Sequence, residues 1–137
     1  MPTARKSTAD KAARDLLKRI CRTLDDKKAE DLVVLDVRKQ SSITNFLVLA
    51  SGTSQPHLRA LRNEIDRVLK ESGTDIVGVD AGDGSGWTVI DTFDVMIHVL
   101  TPENRARYRL ETLWGDAEPV NVKRLLAKPR APRKKTA

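Results

Sequence analysis

The run GWTVIDTFDVMIHVL, Gly86 to Leu100, decides the fold: two apolar, strand-like segments hinged on Asp91-Thr92-Phe93-Asp94. Strand side chains alternate, so in the first segment Trp87, Val89 and Asp91 share one face while Thr88, Ile90 and Thr92 take the other. In the second, Val95, Ile97 and Val99 form one face and Asp94, Met96, His98 and Leu100 the opposite one. One side of this hairpin is apolar; the other is oddly polar. A buried Asp or His needs a hydrogen-bond partner or costs desolvation free energy, and a Trp opening a strand beside a Gly-rich loop is expected to stay partly exposed. Contact with another molecule is therefore expected first near Trp87.

Working outward, Leu16, Leu17, Ile20 and Leu24 repeat at helical spacing and predict a helix over Ser7 to Lys27. Asp31 to Val37 and Asn45 to Ser51 read as β-branched and apolar strands joined by a short polar link, hence an antiparallel hairpin or neighbouring strands. Ser54 caps a second helix with Pro56 in its first turn; Leu58, Leu61, Ile65, Val68 and Leu69 form its stripe and Gly73 ends it. Ile76 to Asp80 is a third strand, and strand, helix, strand implies a right-handed crossover with a parallel pair. Thr101-Pro102-Glu103 opens a last helix, with Ala106, Leu110, Leu113 and Trp114 as its buried stripe and Gly115 as its stop. The order α-β-β-α-β-β-β-α predicts an α/β fold: a five-stranded mixed sheet flanked by helices.

At 137 residues there is room for one domain with a real core. No apolar run approaches the roughly 20 residues that span a bilayer, and the N-terminal stretch has no apolar signal region. A soluble, non-secreted protein without membrane contact is expected. Cys21 has no second thiol for a disulfide or zinc site, which suits a reducing cytoplasm. The net charge of +6 is unevenly placed: Pro119 to Ala137 carries seven cations and no acid, leaving 18 Lys and Arg against 19 Asp and Glu elsewhere. Such a segment, without hydrophobic periodicity, is expected to be disordered and drawn to polyanions.

Few residues promise chemistry. Gly82, Gly84 and Gly86 imitate a phosphate loop but lead into a strand and carry Asp83, so a mobile connection is the better reading. Ser51 to Ser54 does lie between strand and helix, yet it lacks a P-loop's Lys and glycines and reads as a capped helix start. Asp91 and Asp94 are three apart across a turn, whereas a metal-binding carboxylate pair sits two apart on one strand face; they read as turn residues. His98 reads as a core histidine, His57 as facing water, and Arg105, Arg107 and Arg109 as a solvated helix face. Neither a nucleophilic triad nor a metal or cofactor set emerges. With 4% aromatics, sequence-specific RNA reading is not expected; the basic tail would touch nucleic acid without base preference.

Three segments carry a resemblance: DLVVLDV (Asp31 to Val37), SSITNFLVLASGTS (Ser41 to Ser54) and GWTVIDTFDVMIHVLTPENRARYRLETLWGD (Gly86 to Asp116). In this order and spacing they closely resemble the ribosomal silencing factor family, also called Iojap, over about residues 9 to 118. The resemblance implies a nucleotidyltransferase-like topology without that fold's active site, and a noncatalytic role. Family members bind the large ribosomal subunit at its fourteenth protein and block joining of the small subunit, and relatives are linked to late large-subunit assembly. Trp87, Asp91, Asp94, His98 and Tyr108 match the family's motif residues and are the candidate partner-binding set, with Trp87 as interface anchor. The division expected is a flexible N-terminus (1–8), the silencing-factor domain (9–118) and a basic disordered tail (119–137) that touches ribosomal RNA nonspecifically. An open sheet edge would also allow pairing with a second copy. The rival reading is a nucleotidyltransferase-like enzyme using Asp91 and Asp94.

Asn45 and Phe93 depart from the family pattern, standing where Asp and Gly are usual. The second requires the hairpin turn to avoid a positive φ.

Overall fold

A computed structural model describes residues 3–39, 44–80, 85–109, 112 and 114–127. The elements are α1 (Thr3–Asp26), β1 (Glu30–Asp36), β2 (Phe46–Ser51), α2 (Gln55–Glu71), β3 (Gly78–Asp80), β4 (Trp87–Asp91), β5 (Val95–Leu100), α3 (Pro102–Tyr108), β6 (Glu118–Val120) and α4 (Val122–Leu126). They form an α/β fold around a six-stranded sheet in the order β3-β4-β5-β2-β1-β6. Only β2 and β5 pair in parallel; the other neighbours are antiparallel.

The deciding hairpin folds as its periodicity dictates. Ile90 lies opposite Ile97, and Trp87 opposite Leu100. Ile90, Val95, Ile97 and Val99 join Val34, Phe46, Val48 and Ala50 in a core sealed by the apolar stripes of α1 and α2. On the opposite face Leu35, Val37, Leu47, Leu49 and Leu100 form a second, smaller cluster, with Trp87, Met96 and Trp114 only partly buried at its edge. No long helix covers this second face among the described residues; α3 and the segment around Trp114 are its only lid.

Local signals set the helix ends. Ser54 Oγ accepts from the His57 backbone N–H at the start of α2, and Leu58, Leu61, Ile65, Val68 and Leu69 are all buried. Gly52 lies so close to α2 that a Cβ there would stand 2.7 Å from Leu58 Cδ2. The hairpin turn is closed by Thr92, whose hydroxyl donates to Val95 O at 2.9 Å and accepts from Val95 N at 3.0 Å. Phe93, 74% exposed, has no positive φ, so the turn forms without the glycine the family pattern favours.

Five expectations are corrected. The sheet has six strands, not five, because Glu118–Val120 pair with Val34–Asp36 at its edge. That residue run was expected to begin a disordered tail; instead it continues into α4, whose Leu125 is buried in the main core. Proline tolerates this position because an edge strand has one ladder unmade. The crossover from β2 through α2 does not make β2 and β3 neighbours: β3 lies on the far edge against β4, and β5 takes the parallel place. Finally, the last helix stops at Tyr108, since Arg109 takes a left-handed conformation with φ 45, and Ala106 is exposed rather than part of a buried stripe. At the other end α1 begins at Thr3, ahead of the Ser7 start that the periodicity predicts. The Gly82-x-Gly84 loop and the tail beyond Ala127 lie outside the described residues.

Candidate partner-binding face

The second sheet face concentrates the residues that alternation had set apart. Trp87 begins β4, and His98 stands opposite Val89 on β5, one step along the same face. The Trp87 indole Nε1–H donates to His98 Nδ1 at 3.0 Å. His98 therefore carries its own proton on Nε2, and burial pushes its pKa down to about 4. A neutral imidazole at physiological pH keeps that acceptor lone pair available, so the bond fixes the indole plane.

Tyr108 completes the group. Its ring lies 4.8 Å from that of Trp87, centroid to centroid, at an interplanar angle of 46°, while Tyr108 itself is 49% exposed. The contact depends on α3 being anchored just above β4. Thr101 Oγ1 caps α3 by accepting from Asn104 N, and Asn104 Nδ2 in turn donates to the carbonyls of Ser85 (2.7 Å) and Gly86 (3.0 Å). Gly86 has φ +77, and a Cβ there would meet Asn104 Nδ2 at 2.9 Å, so this junction requires glycine. The result is a tilted aromatic stack, held from below by His98 and open to solvent on one side.

Asp91 and Asp94 stand at the other end of the hairpin. Asp91 shares the Trp87 face four residues along β4, and its buried Oδ1 has no hydrogen-bond partner. Asp94 serves the fold itself. Its carbonyl accepts from Asn45 N and Phe46 N, and its Oδ1 accepts from Asn45 Nδ2 at 3.0 Å. The amide at Asn45 can donate here where a carboxylate could not, which gives that departure from the family pattern a local reason. The hairpin thus brings Trp87, His98 and Tyr108 together and sets Asp91 on the same face, while Asp94 stitches β2 to the turn.

Two readings of polar residues change. Arg105 is not on a solvated face: it is 9% exposed, and its Nη1 donates to Ser51 Oγ at 3.0 Å, tying α3 to the end of β2. His57 does not simply face water, because its Nδ1 accepts from Thr53 N at 2.9 Å and its Nε2 donates to Lys27 O at 2.8 Å, joining α2 to the end of α1. These bonds also consume the donors that an anion would need: Thr53 N is bound to His57, and Gly52 N to Leu100 O. No signal in the sequence links residues 51 and 105; their partnership exists only once β5 has placed α3 beside β2.

Residues 10–137 match the family described as ribosomal silencing factor during starvation. The chain belongs to the ribosomal silencing factor family. The family match runs through the C-terminal stretch that was expected to lie outside the family core, in keeping with β6 and α4 being built into the sheet and core. A ribosomal silencing factor of Halalkalibacterium halodurans is 34% identical over 113 residues, 82% of this chain and 97% of that protein. A crystal structure of a Chromobacterium violaceum protein superposes with a TM-score of 0.71 at 36% identity, covering 74% of this chain and 84% of that one. The mouse protein named mitochondrial assembly of ribosomal large subunit protein 1 is 32% identical over 94 residues, 66% of this chain but 41% of its own length.

Proposed function

We propose that this protein is a noncatalytic translational repressor: it binds the large ribosomal subunit at its fourteenth protein and blocks joining of the small subunit by occupying the space between them. Family membership supports the ribosomal setting, and the name of the mouse relative supports a further role in late large-subunit assembly. The single structural observation that carries the docking mode is the Trp87–Tyr108 stack, held by His98 on a sheet face that lacks a long covering helix among the described residues. An aromatic pair made of a partly buried Trp and a half-exposed Tyr, ringed by partly buried apolar groups, is the kind of anchor around which protein interfaces concentrate their binding energy. A footprint of about 800 Å² suffices for a specific complex of this kind. Its site of action is the cytoplasm, with no membrane involved; among the described residues no helix is long and apolar enough to cross one.

The test is sedimentation of the protein with purified large subunits, followed by addition of small subunits. Joined ribosomes are expected to fall as the protein saturates the large subunit; joining at undiminished extent would reject the reading. Trp87→Ala should weaken large-subunit binding by roughly 30-fold or more, the loss expected of a central aromatic anchor, while circular dichroism remains that of the folded protein. Unchanged affinity would remove Trp87 from the interface.

A further inference from the structure

A groove lies far from the aromatic stack, on the helix-covered side of the sheet. It has a volume of about 810 Å³ and runs between α1 and the β6–α4 segment; its cations are Lys11, Arg14, Lys18 and Arg124. On α1 the spacing of Lys11, Arg14, Lys18 and Arg22 (i, i+3, i+7, i+11) aligns them along one helical face. At 1.5 Å per residue that stripe is about 16 Å long. Lys11, Lys18 and Arg124 take part in no salt bridge among the described residues. Three acids, Asp15, Asp36 and Glu118, also line the groove. Of these, Asp36 is already engaged by Arg38, whose guanidinium approaches to 2.7 Å and holds its carboxyl below the usual carboxylate range.

The groove also leads somewhere. Arg22 Nη2 donates to Ala127 O at 3.2 Å, fixing the point from which the chain runs on through Lys128, Arg130, Arg133, Lys134 and Lys135. A folded row of cations thus ends where a sequence of five more begins, and among the described residues no aromatic side chain lines the groove. Cations in a track without stacking platforms suit the phosphate backbone and not the bases of a nucleic acid.

We propose that the α1–β6–α4 groove is a sequence-independent contact surface for the RNA phosphate backbone. The α1 stripe lies on the side of the sheet away from Trp87. This does not rest on the docking reading, since the two surfaces share no residue.

The test compares the full chain with its Lys11→Gln/Arg14→Gln/Lys18→Gln variant for binding to a fluorescein-labelled oligouridine, by anisotropy across a potassium chloride series. Losing three phosphate contacts should reduce the slope of log affinity against log salt by about 2, with affinity falling roughly tenfold at low salt. A mixed-sequence RNA duplex and oligoadenosine should show the same loss. A variant that keeps the wild-type slope while remaining folded overturns the proposal, as does equal binding of polyglutamate, which would assign the groove to acidic peptides. Binding of the variant to the isolated fourteenth large-subunit protein should be unchanged, so a failure there would be a failure of the separation between the two sites.

Discussion

His98 illustrates how one side chain serves both stability and surface. Its imidazole is neutral in the fold, with a pKa of about 4 against an ordinary value of 6.5. Between those values the unfolded chain binds the proton and the folded one does not. The stabilisation is therefore whole above pH 6.5 and is lost as pH falls toward 4, where a proton on Nδ1 would also displace the Trp87 indole N–H. At pH 4.5 the expected loss is about 2.5 kcal/mol. Urea unfolding of wild type and His98→Leu at pH 7 and pH 4.5 checks this: the stability difference between them should shrink by about that amount, and a gap independent of pH would contradict a buried neutral imidazole. The facing of Trp87 and His98 could be read from period-two alternation alone. Tyr108 could not be placed over Trp87, because its position depends on Asn104 tying α3 to the Ser85 and Gly86 carbonyls, a contact between residues far apart in sequence that no local pattern marks.

Elements were legible where they carry strong periodicity and hidden where tertiary contact alone creates them. The apolar stripe of α2 and the β4–β5 hairpin follow directly from spacing. Three-residue β6 has no alternation and contains a proline; it is a strand only because β1 offers its edge. The same proline and the following α4 leave that edge poorly suited to further pairing, whereas at the opposite edge β3 carries Val79 and directly follows Val77, each half exposed. This assignment changes what a truncation would measure. Removing residues 119–137 takes away β6 and the buried Leu125, at a cost of about 3–5 kcal/mol and roughly 10–20 °C in melting temperature. Removing 128–137 deletes five cations and the Pro, Ala and Thr residues among them, all beyond the last described core contact, and the melting temperature should hold within about 2 °C. Calorimetry on the two truncations distinguishes them; similar melting for both would mean that the edge strand and α4 contribute nothing to the fold.

At the scale of the whole molecule, the cationic groove and the aromatic stack lie on opposite sides of one sheet. β4 and β6 are separated by four strand spacings, about 19 Å. The aromatic stack and the cationic groove are also on different faces, so neither can reach the other's partner atoms directly. Sequence composition hinted at this division by placing its charge excess at the C-terminus, but put the boundary at Pro119. The folded groove brings Arg124 together with three α1 cations more than a hundred residues away. Two sites that are distant and share no residues should contribute independently to large-subunit affinity. In a cycle combining Trp87→Ala with Lys11→Gln/Arg14→Gln/Lys18→Gln, the coupling free energy should stay below about 0.5 kcal/mol, measured by competition for purified large subunits at fixed salt. Raising the salt should erase the effect of the charge substitutions and leave that of Trp87→Ala, because condensed counterions compete for the first contact and not for an apolar one. Coupling above about 1 kcal/mol would mean that both surfaces close on a single bound conformation, and that the sheet transmits strain between them.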